Sequence, residues 1–580
     1  MIKHLLKSVR EYKRASLLAP VFIALEVMLE CMLPFIMAML IDNMTGESMT
    51  PVFKYGSMLI VLAFLSLYCG VKSGKYAATA STGFAKNLRH DMFYNIQDFA
   101  FADIDTFSTS SLVTRMTTDV TNVQNAYQMV IRVAVRTPMM FLFSIIMAFT
   151  INSEMALIFL CIIPILAAAL FGIARYVMPV FERIFKKYDK LNNSVQENIS
   201  GIRVVKSFVR EDYENEKFCN ASEELRKDFT FVEKVLALNS PIMNLCLFSA
   251  LLLVDYIGAR MIISSGGSQL TTGELSSLIT YGIQILMAVM MLSMVFVMIT
   301  ISEESARRIV EVLDYSSTLT SPEDGVKEVK DGSISFKDVS FKYSGRSKMN
   351  ALSNIDLEIG SGKTIGIIGG TGSAKSTLIQ LIPRLYDVTE GSVSVGGVDV
   401  RDYDLEVLRD SVAVVLQKNV LFSGTIKENM RWGDPDASDE EIEQACRLAH
   451  ADEFIQQFPD KYDTFIAQGG VNVSGGQKQR LCIARALLKK PKILILDDST
   501  SAVDTRTDAL IRKAFREEIP DTTKIIIAQR VASVEDADQI LVMEGGRIVE
   551  QGTHDELIAL GGIYNEIYVS QTSGKEENAA

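Results

Sequence analysis

A turn of small residues between an apolar run and a helical run is the stretch with the clearest chemistry. Residues 364–368 are typical of a buried strand, and residues 378–382 have helical spacing. Between them stand, in order, Gly369, Gly370, Thr371, Gly372, Ser373, Ala374, Lys375, Ser376 and Thr377. Strand, glycine-rich turn and helix form the context of a phosphate-binding loop, in which backbone N–H groups surround phosphate oxygens. The stretch therefore predicts a nucleotide site.

Two side chains of this loop have distinct expected roles, and one position departs from the pattern. We expect Lys375 to place its ammonium on the β- and γ-phosphates and Ser376 to place its hydroxyl on Mg²⁺. Ala374 stands where the pattern has glycine. Because an alanine N–H still donates, we expect phosphate binding to persist, with an altered loop geometry.

Each of three further apolar runs ends in polar side chains: Gln417, then the pair Asp497 and Asp498, then Gln529. We expect Gln417 to reach Mg²⁺ or an attacking water. Asp497 is expected to organise Mg²⁺ through its water shell, because Mg²⁺ takes few carboxylates and keeps several waters. These residues are the candidates for catalysis and metal binding.

A second helix start and an upstream tyrosine add to the predicted nucleotide site. Small and polar residues precede the helical run 481–488: Ser474, Gly475, Gly476 and Gln477. Such a start is a second anion site, and two of them in one domain suggest that one serves a partner's nucleotide. Tyr343 lies ahead of the phosphate loop, where it either stacks on an adenine ring or is an ordinary exposed strand tyrosine.

The elements that precede this region are apolar and long enough to cross a bilayer, which takes ~20 residues each. We predict six spans, at 17–41, 56–80, 131–151, 155–178, 238–262 and 275–300. The loops after the second and fourth spans are long, and the loop after the fourth span is rich in Lys and Arg. By the positive-inside rule these loops and both termini are cytoplasmic, so the sequence predicts a multi-pass protein of the plasma (inner) membrane.

Ionisable groups inside spans are functional candidates by default, because they are costly there. Glu26 and Glu30 share one face of the first span. They either contact a cationic substrate or couple to protons, or are protonated or hydrogen-bonded carboxylates that face an aqueous cavity. Arg132 and Arg136 are expected to snorkel to the cytoplasmic surface.

A methionine stripe marks one face of the sixth span. Its members in the candidate substrate cavity are Met287, Met291, Met294 and Met298. Flexible methionines suit varied apolar ligands, and ordinary helix packing is the alternative explanation.

Composition narrows the partners and the organisation. A net charge of −12 argues against a nucleic-acid partner, and seven Cys without CxxC spacing indicate neither a zinc site nor a disulfide framework. We predict a membrane domain at 1–313, a polar linker at 314–332, a soluble domain at 333–570 and a polar tail at 571–580.

With these motifs in order, the chain resembles a half-transporter of the ATP-binding-cassette exporter family. Residues 474–477 match the family's signature motif, Tyr343 its adenine-stacking aromatic, Gln417 its Q-loop glutamine and residues 501–504, ending in Asp504, its D-loop. The resemblance implies six transmembrane helices with long cytoplasmic extensions, fused to an α/β P-loop domain. Coupling helices would fall near 101–112 and 204–213. Two cassettes would sandwich two ATP molecules, each between one subunit's phosphate loop and the other's signature motif.

The departures from the family pattern suggest an asymmetric dimer. The family has a glutamate base where this chain has Asp498, and a γ-phosphate-contacting histidine where it has Gln529. Both changes weaken hydrolysis. The resemblance is therefore to the degenerate-site subunit of heterodimeric multidrug exporters, which carry small amphipathic substrates from the membrane lipid. A homodimeric exporter of lipid or peptide and a regulatory nucleotide-sensing subunit are the alternatives.

Overall fold

The computed structural model describes residues 1–44, 49–344, 349–499 and 502–576. The chain divides into two compact units. The first comprises Met1–Gln97 and Thr109–Tyr315, and the second comprises Asp98–Ser108 and Ser316–Ala580. The short segment Asp98–Ser108 thus groups with the C-terminal half, although it lies inside the predicted membrane domain.

Helices make up the N-terminal half of the described chain. Their bounds are α1 Ile2–Lys7, α2 Lys13–Asn43, α3 Thr50–Gln97, α4 Phe101–Phe107, α5 Thr109–Thr114, α6 Val120–Ile151, α7 Ser153–Ser200, α8 Ile202–Ser207, α9 Glu211–Leu236, α10 Asn239–Ser265 and α11 Thr272–Leu313. All but α4 belong to the first unit.

Six helical stretches of the described residues are long and apolar enough to cross a membrane. They are Arg10–Asn43, Thr50–Gln97, Thr109–Ile151, Ser153–Phe181, Glu211–Ser265 and Thr272–Leu313, and the predicted six-helix membrane half is confirmed. Helices α3 and α7 have 48 residues each. At 1.5 Å per residue each is ~70 Å long, far more than a ~30 Å hydrocarbon core requires.

Helix α2 is the centre of the first unit, where it packs against α3, α6 and α11. Polar contacts fix its position along α11. The Tyr281 hydroxyl donates to the Cys31 carbonyl at 2.6 Å, and the Ser277 hydroxyl donates to the Pro34 carbonyl. Because an unpaired polar group is costly in hydrocarbon, these bonds set one register between the two helices.

The described residues of the second unit form three sheets. Its strands are β1 Ile334–Phe341, β2 Leu352–Ile359, β3 Thr364–Ile368, β4 Glu390–Val395, β5 Val398–Asp399, β6 Val412–Val415, β7 Gly424–Thr425, β8 Phe465–Ile466, β9 Ile493–Asp497, β10 Thr523–Ile527, β11 Gln539–Glu544 and β12 Arg547–Gly552. The largest sheet has the order β12-β11-β3-β10-β9-β6, and a second has the antiparallel order β2-β1-β4-β5. The α/β class predicted for this half is confirmed.

Helices cover the strands of the second unit. They are α12 Lys375–Gln380, α13 Leu405–Ser411, α14 Ile426–Met430, α15 Asp439–Leu448, α16 Asp452–Ile455, α17 Gly475–Leu488, α18 Thr505–Glu518, α19 His554–Leu560 and α20 Ile563–Glu576. Strands β3, β9 and β10 are apolar almost throughout because both faces of the sheet are covered.

The predicted polar tail at 571–580 begins inside a helix. Helix α20 continues to Glu576, and residues 577–580 lie outside the described part of the chain. The Gln571 side chain accepts a hydrogen bond from the Val531 N–H at 2.9 Å and donates to the Gln529 carbonyl at 2.8 Å. This residue thus bonds to the backbone on both sides of Arg530, which the polar composition did not reveal.

Candidate nucleotide site and intramembrane charge cluster

The carboxyl ends of four neighbouring parallel strands collect the predicted nucleotide residues. Strand β10 pairs in parallel with β3 and β9, and β6 pairs in parallel with β9. The phosphate loop follows β3, Gln529 follows β10, Asp497 ends β9 and Gln417 follows β6. Parallel strands present their carboxyl ends at one edge of a sheet, which is where α/β proteins bind ligands.

The phosphate loop is closed around the lysine ammonium. Lys375 Nζ donates to the carbonyls of Gly369 and Gly370, at 2.8 Å each, and lies 3.3 Å from Ser373 Oγ. Burial lowers the pKa of Lys375, which the nearby Asp497 and Asp498 partly offset. An ammonium that is short of solvation and held in the loop attracts phosphate oxygens strongly.

Ala374 adopts a backbone conformation that favours glycine. Its φ is 70° and its ψ is 24°, in the left-handed region. For a residue with a Cβ this costs roughly 1–2 kcal/mol. The alanine takes the glycine-like conformation, and its cost is backbone strain.

Ser376 and Asp497 form the part of the site that suits a hard cation. Ser376 Oγ donates to Asp497 Oδ1 at 3.0 Å. Asp497 is buried at 5% exposure, and this burial raises the pKa of its carboxyl, with a further rise from Asp498 and opposing effects of Ser376 and Lys375. A hydroxyl, one carboxylate and the exposed Gln417 amide oxygen are the ligand types that Mg²⁺ takes together with waters.

Asp498 and Gln529, the two departures from the family pattern, contact each other. Gln529 Nε2 donates to Asp498 Oδ2 at 2.7 Å. The Asp498 N–H donates to the Ile527 carbonyl, and its φ is 48°. The carboxylate is therefore engaged by the side chain that replaces the histidine.

Tyr343 lies beside the helix that follows the phosphate loop. Its hydroxyl is 2.9 Å from Thr377 Oγ1, and its ring meets the Phe341 and Tyr386 rings edge-on. The side chain is half exposed. The half-exposed ring thus lies next to the loop, where an adenine-stacking residue is expected.

The signature segment begins α17 with a capping box. The Gln477 N–H donates to Ser474 Oγ at 3.3 Å, and the Ser474 N–H donates to Gln477 Oε1 at 2.9 Å. A Cβ on Gly476 would lie 2.8 Å from the Ala502 carbonyl, so only glycine fits there. Gly475 lies against the Ala502 methyl. Among the described residues, no hydrogen bond joins residues 474–477 to the phosphate loop.

Asp504 has a structural role that its motif did not indicate. It is the N-cap of α18, and its carboxylate accepts from the Thr507 N–H at 2.9 Å. This bond holds the pKa of Asp504 below its usual range. Ser501, at the start of the same predicted motif, lies outside the described residues.

One predicted coupling segment contacts the nucleotide-binding half within the second unit. Helix α4 covers 101–107 of the predicted 101–112. The Tyr386 hydroxyl donates to Asp105 Oδ2 at 2.9 Å, and the Tyr386 ring in turn contacts Tyr343. A contiguous set of side chains therefore joins α4 to the expected adenine site.

In the first unit, Glu26 and Glu30 are paired with an arginine that we expected to snorkel. Arg136 bonds to Glu26 Oε1 at 2.6 Å through one nitrogen and to Glu30 Oε2 at 2.6 Å through another. The snorkelling prediction for Arg136 is wrong, because α6 packs against α2 and brings the guanidinium to both carboxylates. Both acids are thus hydrogen-bonded, and their contact with a substrate stays a prediction.

The methionine stripe lies away from the buried face of α11. Met287, Met291 and Met294 are exposed and Met298 is partly buried, whereas Tyr281 and Ile285 are fully buried. Ordinary packing within this chain therefore does not account for the stripe.

Comparisons with known proteins agree with this architecture. Residues 16–290 match the model of the ABC transporter transmembrane region, and residues 352–501 match that of the ABC transporter. An uncharacterised ABC transporter ATP-binding protein of Bacillus subtilis, YfiB, is 37% identical, over 97% of this chain and 98% of the relative. An ATP-dependent lipid A-core flippase of Desulfotalea psychrophila is 34% identical over 84% of each chain.

A solved structure shows the same fold. A bacterial Atm1-family ABC exporter with ATP bound is similar with a TM-score of 0.80, covering 97% of this chain and 98% of that chain, at 24% identity. The chain therefore belongs to the ABC transporter family, as an exporter half-transporter in which a six-helix transmembrane domain is fused to an ATP-binding cassette.

Proposed function

We propose that this chain is the catalytically weak half of a heterodimeric, ATP-driven exporter of small amphipathic compounds. Its own phosphate loop, Asp497 and Asp498 form a degenerate site that holds Mg²⁺ and ATP and hydrolyses the nucleotide slowly. Its signature motif completes a competent site on a different half-transporter. ATP sandwiching opens the membrane cavity outward, and hydrolysis at the competent site resets it.

The observation that carries this proposal is the hydrogen bond from Gln529 to Asp498. A general base must come within ~2.6–3.2 Å of the proton it takes, or act through one water. Asp498 is one methylene shorter than glutamate, and its carboxylate already accepts from an amide. Gln529 cannot carry the positive charge of a histidine, so it stabilises a transferring phosphoryl group poorly.

The signature segment supports the second half of the proposal. Its capping box is complete, and its glycine is required by the close approach of the Ala502 carbonyl. This intact geometry favours a signature segment that still contacts a nucleotide, which in the proposal is the partner's. A homodimer would carry the Asp498 and Gln529 changes at both sites, which would forfeit several powers of ten in rate by the magnitudes for one base and one donor.

Membrane location and orientation complete the proposal. The six spans and the basic loop between the fourth and fifth favour the plasma (inner) membrane, with both termini in the cytoplasm. The exposed methionines of α11 favour a surface that accepts varied apolar cargo.

The experiment compares ATP turnover of this chain purified alone with turnover after co-expression with a second half-transporter of the same organism that carries a glutamate base and the histidine. We expect a nearly inert chain alone and an active pair, whose activity disappears when the partner's base is replaced by glutamine. Turnover of the chain alone at about 1 s⁻¹ or more, as a homodimer, would overturn the degenerate-site proposal.

Transport separates the remaining functions. A relative of this chain is a lipid A-core flippase, and another, 32% identical over 91% of this chain and 40% of the relative, is the multidrug resistance protein pgp-1 of Caenorhabditis elegans. Loss of dye efflux on substitution of Met291 and Met294 by alanine would support cargo contact in this chain. Unchanged efflux with altered ATP dependence would instead identify a regulatory nucleotide-sensing subunit.

A further inference from the structure

An open cavity of about 600 Å³ in the first unit is lined by residues of α2, α3 and α6. Its apolar wall includes Leu33, Ala63, Leu67 and Val71. Its polar wall includes Glu26 and Glu30 with two cationic side chains, Lys75 and Arg132. An apolar wall beside a few convergent charges is typical of a site for an amphipathic ligand.

Small residues of α3 keep this cavity open. Gly70 and Gly74, one helical turn apart, both line it. A Cβ on Gly70 would lie 3.1 Å from the Glu26 carboxyl group, and one on Gly74 would lie 4.0 Å from the Arg132 guanidinium. Larger residues at these positions would fill the space next to the charged groups.

The two carboxylates of the cavity already have a cation. Arg136 reaches Glu26 and Glu30 at 2.6 Å each. In contrast, within the described ranges neither Lys75 nor Arg132 forms an ion pair. Counted together, the group has three cations and two carboxylates, so it carries a surplus of one positive charge.

An unpaired cation costs roughly 2.5–3.5 kcal/mol at the centre of a membrane span and less near its ends, where Lys75 and Arg132 lie in the predicted spans. Such groups usually face a partner, a cavity or the lipid surface. Basic pockets between transmembrane helices bind anionic head groups. Lys75 and Arg132 therefore suit an anionic group on a ligand. A positively charged ligand is disfavoured, because both carboxylates on the same wall are already paired with Arg136.

We propose that this cavity binds an anionic amphipath, with its phosphate or carboxylate head group at Arg132 and Lys75 and its apolar body against Leu33, Leu67 and Val71. As a binding site it stands on the geometry of the first unit alone. As a cargo site it rests on the proposed exporter function, whose substrate chemistry it then specifies.

The test measures binding to the full chain, purified in neutral detergent and without nucleotide, by native mass spectrometry. The probes are dodecyl phosphate, dodecyltrimethylammonium, phosphatidylglycerol and phosphatidylcholine. The variants are Lys75→Gln, Arg132→Gln and their combination. Lys72→Gln is the matched control, because Lys72 lies one turn away on α3, with its ammonium 5.5 Å from the centre of the Tyr68 ring, and does not line the cavity.

We expect each neutralisation to weaken dodecyl phosphate binding about fivefold, and the pair about 25-fold, whereas Lys72→Gln leaves it unchanged. Arg132→Lys should keep most of the affinity for dodecyl phosphate. This result would show that the loss of affinity in Arg132→Gln comes from the lost charge and not from misfolding. The same pattern with phosphatidylglycerol identifies a lipid head group as the anion. If dodecyl phosphate shows this pattern and phosphatidylglycerol does not, the anion belongs to a free amphipath and not to a membrane lipid.

Two results would overturn the proposal. One is wild-type affinity of the double variant for both anionic probes. The other is binding of dodecyltrimethylammonium as tight as that of dodecyl phosphate and equally sensitive to the variants. Because no ATP is present, these outcomes are independent of whether the cassette is degenerate. A failed heterodimer proposal therefore leaves this test intact.

Discussion

Gln529 Nε2 donates to Asp498 Oδ2 at 2.7 Å, so a side chain two residues beyond β10 holds the carboxylate that follows β9. The two strands are parallel neighbours, and Ile527 pairs with Asp497 in the ladder. The two departures from the family pattern thus form one local arrangement, in which the side chain at the histidine position bonds to the carboxylate at the base position. This relationship suggests that both must be reversed to restore hydrolysis.

Restoring both residues should activate the site of this chain. In a pair whose competent site has been disabled, we expect Asp498→Glu with Gln529→His to raise ATP turnover about 10²-fold or more. Gln529→His alone should do much less, because the aspartate remains short. Steady-state phosphate release is the measurement. Equal rates for the double variant and the parent would show that other residues keep the site inactive.

Ala374→Gly should relieve backbone strain in the phosphate loop. The left-handed conformation at φ 70° costs an alanine more than a glycine, although glycine gains entropy in the unfolded chain. We expect the free energy of unfolding of the cassette to rise by about 0.5–1 kcal/mol. Ala484→Gly, inside α17, is the control and should lower it by about 1 kcal/mol. Denaturant unfolding with and without ATP measures both, and a loss of stability in Ala374→Gly would contradict the strain argument.

Asp497 should make the nucleotide-free protein less stable as pH rises. Burial raises the pKa of its carboxyl above the ordinary 3.8, so the folded state binds more protons than the unfolded state in the interval above 3.8. Stability therefore falls as pH increases through that interval.

Asp497→Asn removes this charge while Asn Oδ1 can still accept from Ser376. We expect a higher Tm at neutral pH, a flatter pH dependence and a loss of stabilisation by Mg²⁺ and ATP. Thermal unfolding between pH 4 and 8 checks the change, on the order of several degrees. If the Tm of Asp497→Asn depends on pH as steeply as that of the parent, Asp497 is not the group that causes this pH dependence.

The Arg136 cluster should be destabilised by removing one partner and tolerate removal of all three. Arg136→Met leaves two carboxylates without their cation, which we expect to cost about 3–5 kcal/mol. The triple variant Glu26→Gln, Glu30→Gln and Arg136→Met should recover most of this. Thermal unfolding in detergent compares the two, with Arg307→Met, in an exposed pair with Glu304, as the control. If the triple variant is as unstable as Arg136→Met alone, the loss of stability comes from the changed side-chain volume and not from the unpaired charges.

The sequence alone determined the features that depend on local pattern. Six apolar runs of bilayer length predicted six spans, and the helices occur where those runs lie. The strands beside the phosphate loop were visible as short apolar runs, and β3 has the predicted bounds Thr364–Ile368. The residues of the expected nucleotide site could be predicted from the ends of these runs, because parallel strands bring their carboxyl ends to one edge of the sheet.

Only the tertiary structure decided which of these side chains meet. Arg136 is 110 residues from Glu26 along the chain, and only the packing of α6 on α2 makes them partners. Gln571 looked like part of a polar tail, yet α20 places it on the backbone beside Gln529. Periodicity reports which face of an element is apolar, whereas a charge pair depends on how two distant elements are placed, and no local pattern carries that information.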